Sequence, residues 1–166
     1  MEMMVEIDSQ DAPMVEMNLL RSGESEEFTR ISLFRDRHRT SRFMPPQQEV
    51  SMVVVDATRS SLSPEIVSRP PEMAPVVIPP DEPFRLHVFV DRSILEVFVN
   101  GRQCLAVRVY PSRPDSLGVS FRSQGRDARL RSLDAWQMDS IYGQQFPEIS
   151  ASVVREERAT QYTGHP

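Results

Sequence analysis

Asp91 and Glu96 are the carboxylates of this 166-residue chain best spaced to do chemistry together. Hydrolysis of a glycosidic bond uses such a pair, one group protonating the leaving oxygen and the other acting as nucleophile or base. Asp91, however, opens the polar stretch Asp91-Arg92-Ser93, where an aspartate caps its own backbone through an Asx-type hydrogen bond. Glu96 alternates with Ile94 and Phe98 along an extended segment, which suits a partner for an arginine on a neighbouring strand. Both therefore read as structural contacts, not as an acid and a base.

Other chemistries find less support. His38, His87 and His165 are scattered, and none has a second histidine or cysteine at ligand spacing, so no metal site is expected. Cys104 is the single cysteine; it sits in an apolar strand, where a buried, inert thiol is the ordinary state. No Gly-x-Ser-x-Gly elbow or phosphate-cradling loop is present, and no cofactor is implied. The acidic run Glu24-Ser25-Glu26-Glu27 reads as a solvated loop ahead of a strand. A sugar platform would need exposed aromatic rings, and Tyr110, Trp136 and Tyr142 are the candidates for exposure.

The bulk numbers narrow the class. A net charge of -5 argues against nucleic acid as a partner, because neutralising phosphates takes a basic surplus. All 19 basic residues are arginine, which fits a coding bias better than a functional use. No run approaches the ~20 apolar residues of a membrane helix, so no membrane partner is expected. Met1-Glu2-Met3-Met4 lacks the basic start of a signal peptide and reads as the middle of a strand, so the chain is expected to derive from a longer protein. Its compartment is left unassigned.

The elements that must position these residues are strands. Met3 to Asp8, Met14 to Leu20, Phe28 to Asp36 and Val50 to Asp56 alternate or carry β-rich composition between turn residues. Thr29, Ile31 and Leu33 fall on one face of the third, and Phe28, Arg30, Ser32 and Phe34 on the other. Residues 59–83 hold seven prolines and are expected to form an extended surface connection, a crossover between two sheets and not a strand. A domain boundary there is the competing reading. Phe84, Leu86, Val88 and Val90 then share a face; Asp91-Arg92-Ser93 turns the chain; Ile94 to Val99 returns. Asn100-Gly101 supplies the positive φ angles of a second hairpin, and Cys104 to Tyr110 completes a three-stranded meander. Leu117 to Arg122 and Arg126 to Met138 close the set. The fold class is all-β: a two-layer antiparallel β-sandwich of the jelly-roll or concanavalin-like kind. Residues 143–166 are expected to be a mobile tail, with Ser150 to Arg158 able to form a short helix.

The stretch Leu86-His87-Val88-Phe89-Val90-Asp91-Arg92-Ser93-Ile94-Leu95-Glu96-Val97-Phe98-Val99-Asn100-Gly101 resembles the signature of the C-terminal domain of glycoside hydrolase family 32, the invertases, levanases and inulinases. Arg108-Val109-Tyr110-Pro111 and Leu133-Asp134-Ala135-Trp136-Gln137-Met138 continue the likeness, which spans roughly residues 1–142. The resemblance implies a sandwich packed against a five-bladed propeller that carries the catalytic residues. Those motifs are missing: Arg35-Asp36-Arg37 mimics the family's arginine-aspartate-proline but lacks the proline. No catalytic residue is assigned. Asp91, Arg92, Ser93, Glu96, Asn100 and Gly101 match the family as structural motif residues. The candidate partners are the propeller domain, a second copy of the chain and a fructan. The implied role is a non-catalytic module of a β-fructoside-hydrolysing enzyme, with an autonomous fructan-binding module as the alternative.

Overall fold

Period-two alternation decides which faces of these strands meet. The computed structural model describes residues 1–35, 50–67 and 70–139, and among them there are ten strands and no helix. They are β1 (Glu2–Asp8), β2 (Met14–Arg21), β3 (Thr29–Phe34), β4 (Val50–Asp56), β5 (Glu72–Val77), β6 (Phe84–Asp91), β7 (Ile94–Val99), β8 (Gln103–Arg108), β9 (Gly118–Gln124) and β10 (Arg129–Trp136). One sheet, A, has the order β10-β1-β6-β7-β8; the other, B, has β5-β4-β3-β2-β9. Every pairing is antiparallel. Alternate residues of each inner strand enter one core: Met3, Val5 and Ile7 from β1, Phe84, Leu86 and Val88 from β6, Leu95, Val97 and Val99 from β7. Facing them from sheet B are Met17, Leu19, Ile31, Leu33, Val53 and Val55. The expected two-layer antiparallel sandwich is the architecture found.

Segment 59–83 departs from expectation. Glu72–Val77 is a strand, paired residue for residue with β4 from Val50↔Val77 to Val55↔Glu72. Pro75 is tolerated because β5 is the outermost strand of sheet B, where a missing N–H need not break a ladder. The crossover is confined to the residues after it, between β5 in sheet B and β6 in sheet A. Arg35 fixes that passage. Its guanidinium donates to the carbonyls of Pro79 (3.1 Å) and Glu82 (2.7 Å) and lies 4.4 Å from the centre of the Phe84 ring.

The meander β6-β7-β8 is as expected, with the third strand ending at Arg108, two residues before Tyr110. Asp36, His38 and residues 140–166, which include Tyr142, His165 and the expected tail, lie outside the described residues. No helix among the described residues is long and apolar enough to cross a membrane.

Candidate functional site

The signature motif folds into the centre of sheet A, and alternation sends half of its side chains away from the core. Met4 of β1, His87 and Phe89 of β6, and Ile94 and Phe98 of β7 share the outer face. Trp136, paired with Glu2, joins them at the end of β10. The His87 and Phe89 rings are 4.3 Å apart, and Phe89 meets Phe98 edge-on at 6.1 Å. Met4 is 49% exposed, Trp136 47%, Ile94 38% and Phe98 36%, so this is an aromatic and aliphatic patch open to solvent. The signal was present in the sequence: Phe89 and Phe98 occupy the non-core phase of clean alternation. Glu2 borders the patch, its carboxylate 2.6 Å from His87 Nε2.

The corner after β6 differs in detail from its sequence reading. Asp91 is the last paired residue of the hairpin, opposite Ile94, and its carboxylate forms no Asx bond among the described residues. The bend is made by Arg92, held at φ 51°, a left-handed conformation costly for a residue with a Cβ. Ser93 anchors the far strand: its Oγ accepts from Arg108 Nη1 at 2.9 Å, and its carbonyl accepts from the Val109 N–H at 2.9 Å. Glu96 was expected to meet an arginine, but across the strands it faces Phe89 and Ala106 and, among the described residues, forms no ion pair. Cys104, expected to be buried, is exposed beside Phe98; partial desolvation and the charge of Glu96 push its thiol pKa up.

The second turn is as read. Asn100 (φ 50°) and Gly101 (φ 63°) take the left-handed angles, and the Arg102 N–H closes on the Val99 carbonyl. The Asn100 side chain does more than turn the chain. Its Oδ1 accepts from the Arg85 N–H at 3.0 Å, and its Nδ2 donates to the Pro83 carbonyl and to Glu82. Asn100, Arg102 and Arg85 together hold the Glu82 carboxyl below its ordinary pKa.

Glu27 corrects the reading of the acidic run as solvated. It is fully buried, and five donors converge on its carboxylate. They are the Leu62, Ser112 and Arg113 N–H groups and the Ser112 and Ser116 hydroxyls. Burial pushes its pKa up, but the hydrogen bonds from Ser116, Arg113 and Ser112 outweigh that and hold it at about 2. The group ties three loops at one end of the sandwich and is structural. Only spacing after the turn could have hinted at it, since sequence does not show which of several adjacent acids turns inward.

Of the aromatic candidates for a sugar platform, the two that lie among the described residues do not converge. Tyr110 and Trp136 are both exposed, but they follow β8 and end β10, opposite edges of sheet A about 19 Å apart at ~4.8 Å per strand. A different concavity exists where β5 and β8 meet. It is a cleft of about 390 Å³, floored by Val55, Ala57 and Val107 and bordered by Glu72, Glu96 and Arg108.

The sequence matches the model for "Glycosyl hydrolases family 32 C terminal" over residues 1–137. The chain belongs to this family. The family 32 domain is 31% identical over 100 residues to a fructan 6-exohydrolase of Beta vulgaris, covering 58% of this chain and 16% of that protein. It is 30% identical to the insoluble β-fructofuranosidase isoenzyme of Arabidopsis thaliana, covering 74% of this chain and 21% of that protein. The chain thus spans about a fifth or less of these relatives. The crystal structure of fructan 1-exohydrolase IIa from Cichorium intybus superposes with a TM-score of 0.67 at 16% identity, covering 82% of this chain and 30% of that one. Exo-inulinase from Aspergillus awamori gives 0.58 at 19% identity, covering 78% and 23%. These likenesses show the fold. In homologues, family 32 C-terminal domains pair with an N-terminal five-bladed propeller.

Proposed function

We propose that this domain is a non-catalytic module of a β-fructoside-hydrolysing enzyme, and that the outer face of sheet A docks against the catalytic propeller. The observation that carries the reading is the outward patch of Met4, Phe89, Phe98 and Trp136 beside His87. Half-exposed aromatics clustered on one sheet face are ordinary at an interface and costly in water. Asp91 supports it: the motif carboxylate has no hydrogen bond or ion pair among the described residues and stands at the margin of the patch, free for a donor on the partner. The topology fits as well. A domain N-terminal to this one connects through β1, which lies inside sheet A between β10 and β6.

The test is association with a separately expressed family 32 propeller, followed by size-exclusion chromatography. A 1:1 complex is expected, lost in Phe98→Asp while the melting temperature of the domain is kept. No complex with the unaltered chain, or one indifferent to Phe98→Asp, would overturn the docking face. Release of fructose from sucrose by the purified domain alone would overturn its non-catalytic role.

A further inference from the structure

We infer that β10 is a self-association surface: two copies of this chain join by antiparallel pairing of their β10 strands, extending sheet A across a two-fold axis. The two sides of the sandwich are finished differently. On one, β5 and β8 are tied together, Gln103 Nε2 donating to the Pro75 carbonyl at 3.0 Å. The edges there are blunted, by Pro75 in β5 and in β8 by Gln103 Oε1, which accepts from the Cys104 N–H at 2.9 Å. On the other side, β10 holds neither proline nor lysine, and all eight of its residues are exposed. Among the described residues, no side chain or loop bonds to its free backbone edge. Leu130 and Leu133 lie in the core phase, opposite Ile7 and Val5, yet stay 45% and 39% exposed. Behind Leu130 a cleft of about 210 Å³ reaches in to Val15 and Phe121 of sheet B. An unprotected edge with an apolar row beside it is a template for another strand.

The sequence of the strand selects a second copy as that partner. Two identical strands pair antiparallel about an axis normal to the sheet, so opposed residues share a face and the axis passes through a residue. The regular part of β10 is residues 132–136, which follow the bulge opposite Glu6 and Ile7. An axis through Asp134 would set two carboxylates against each other, which is destabilising. An axis through Leu133 sets that side chain against its counterpart and each Asp134 against the Ser132 hydroxyl of the other copy. Asp134 has no hydrogen bond or ion pair among the described residues, so its carboxylate is available to accept that bond. The pairing also closes on itself, because each copy consumes the one edge that it offers. One strand per copy gives a small interface, ~1,200 Å² or less in total, which suits a reversible dimer in the micromolar range. Sheet A grows in its own plane, so its outer face stays open to a propeller. The dimer does not rest on that docking, and the two proposals fail separately.

Sedimentation equilibrium of the full chain from ~1 to ~100 μM tests the inference. A monomer–dimer equilibrium is expected, with no larger species. Leu133→Lys puts two like charges at the axis and should raise the dissociation constant at least about tenfold. Cross-linking gives an independent reading should that variant fail to fold. Opposed Cβ atoms stand about 4.5–5.5 Å apart, close to disulfide reach. Mild oxidation of Leu133→Cys, made with Cys104→Ser, should therefore join the copies at position 133. Leu117→Cys in the same background, exposed but outside the strand, should cross-link far more slowly. A chain that stays monomeric throughout, or a dimer indifferent to Leu133→Lys, would overturn the inference. So would equal cross-linking at positions 117 and 133.

Discussion

At the scale of single residues, buried polar groups fix the loops that the strands leave unspecified. The Glu27 carboxyl titrates near 2 when folded and near 4.5 when free, so its ionised form is favoured by folding. That stabilisation is complete above the unfolded value and disappears as pH falls through the folded one. The difference corresponds to about 3 kcal/mol. Glu27→Gln should therefore be clearly less stable than the parent at pH 7, and the gap should close between pH 4.5 and 2. Urea denaturation of both proteins at pH 7 and pH 3 reads this directly; a gap that does not change with pH would contradict it. Asn100 works differently, through geometry. It tolerates a left-handed backbone and joins Arg85, Pro83 and Glu82 through its amide. Asn100→Ala loses both, for a cost of about 2 kcal/mol, measurable as a lower urea midpoint with an unchanged slope. Asn100→Gly keeps the turn and should recover part of it.

Elements show where sequence reading succeeds and where it stops. The meander was legible because alternation, the Asn100-Gly101 turn and the polar corner all specify one register. Strand β5 was not, because Pro75 and the prolines flanking the strand are read as breakers and nothing in the sequence says that a strand will lie at an edge. Glu96 illustrates the limit for the candidate site. Its face follows from parity and its neighbours Phe89 and Ala106 from that register, but which long side chain reaches it from further away does not, and the arginine partner expected for it is absent among the described residues. The β2–β9 pairing hides a similar feature. Its register shifts between Asn18 and Arg21, Leu20 sits at φ 49°, and Gly118 lies against the Arg21 carbonyl. A Cβ at Gly118 would stand 2.8 Å from that oxygen, which is backbone and cannot swing aside. Gly118→Ala should thus cost about 1–3 kcal/mol, as overpacking does. Thermal unfolding monitored by circular dichroism would give the number; an unchanged melting temperature would mean that the edge strand β9 slides freely.

For the whole molecule the question is whether the proline-rich stretch divides two units, the competing reading of residues 59–83. The strand order answers it. The first half of the chain holds β1 to β5, yet β1 lies in sheet A between β6 and β10 of the second half. In return the second half gives β9 to the edge of sheet B. Neither half can complete a sheet alone: without β1, strand β10 loses its one neighbour and β6 an inner flank, and Phe84, Leu86 and Val88 lose the sheet B residues opposite. A chain cut between Pro80 and Asp81, both exposed, breaks no strand. Each half expressed alone should show no cooperative thermal transition, since burying half a core does not offset the entropy of ordering it. Mixing the halves should restore β circular dichroism and a single concentration-dependent transition. The Arg35 bonds to Pro79, on one side of the cut, and Glu82, on the other, would help the pieces join. A cooperative transition in either half by itself would mean that the boundary reading was right and that the interleaving of the sheets is incidental to stability.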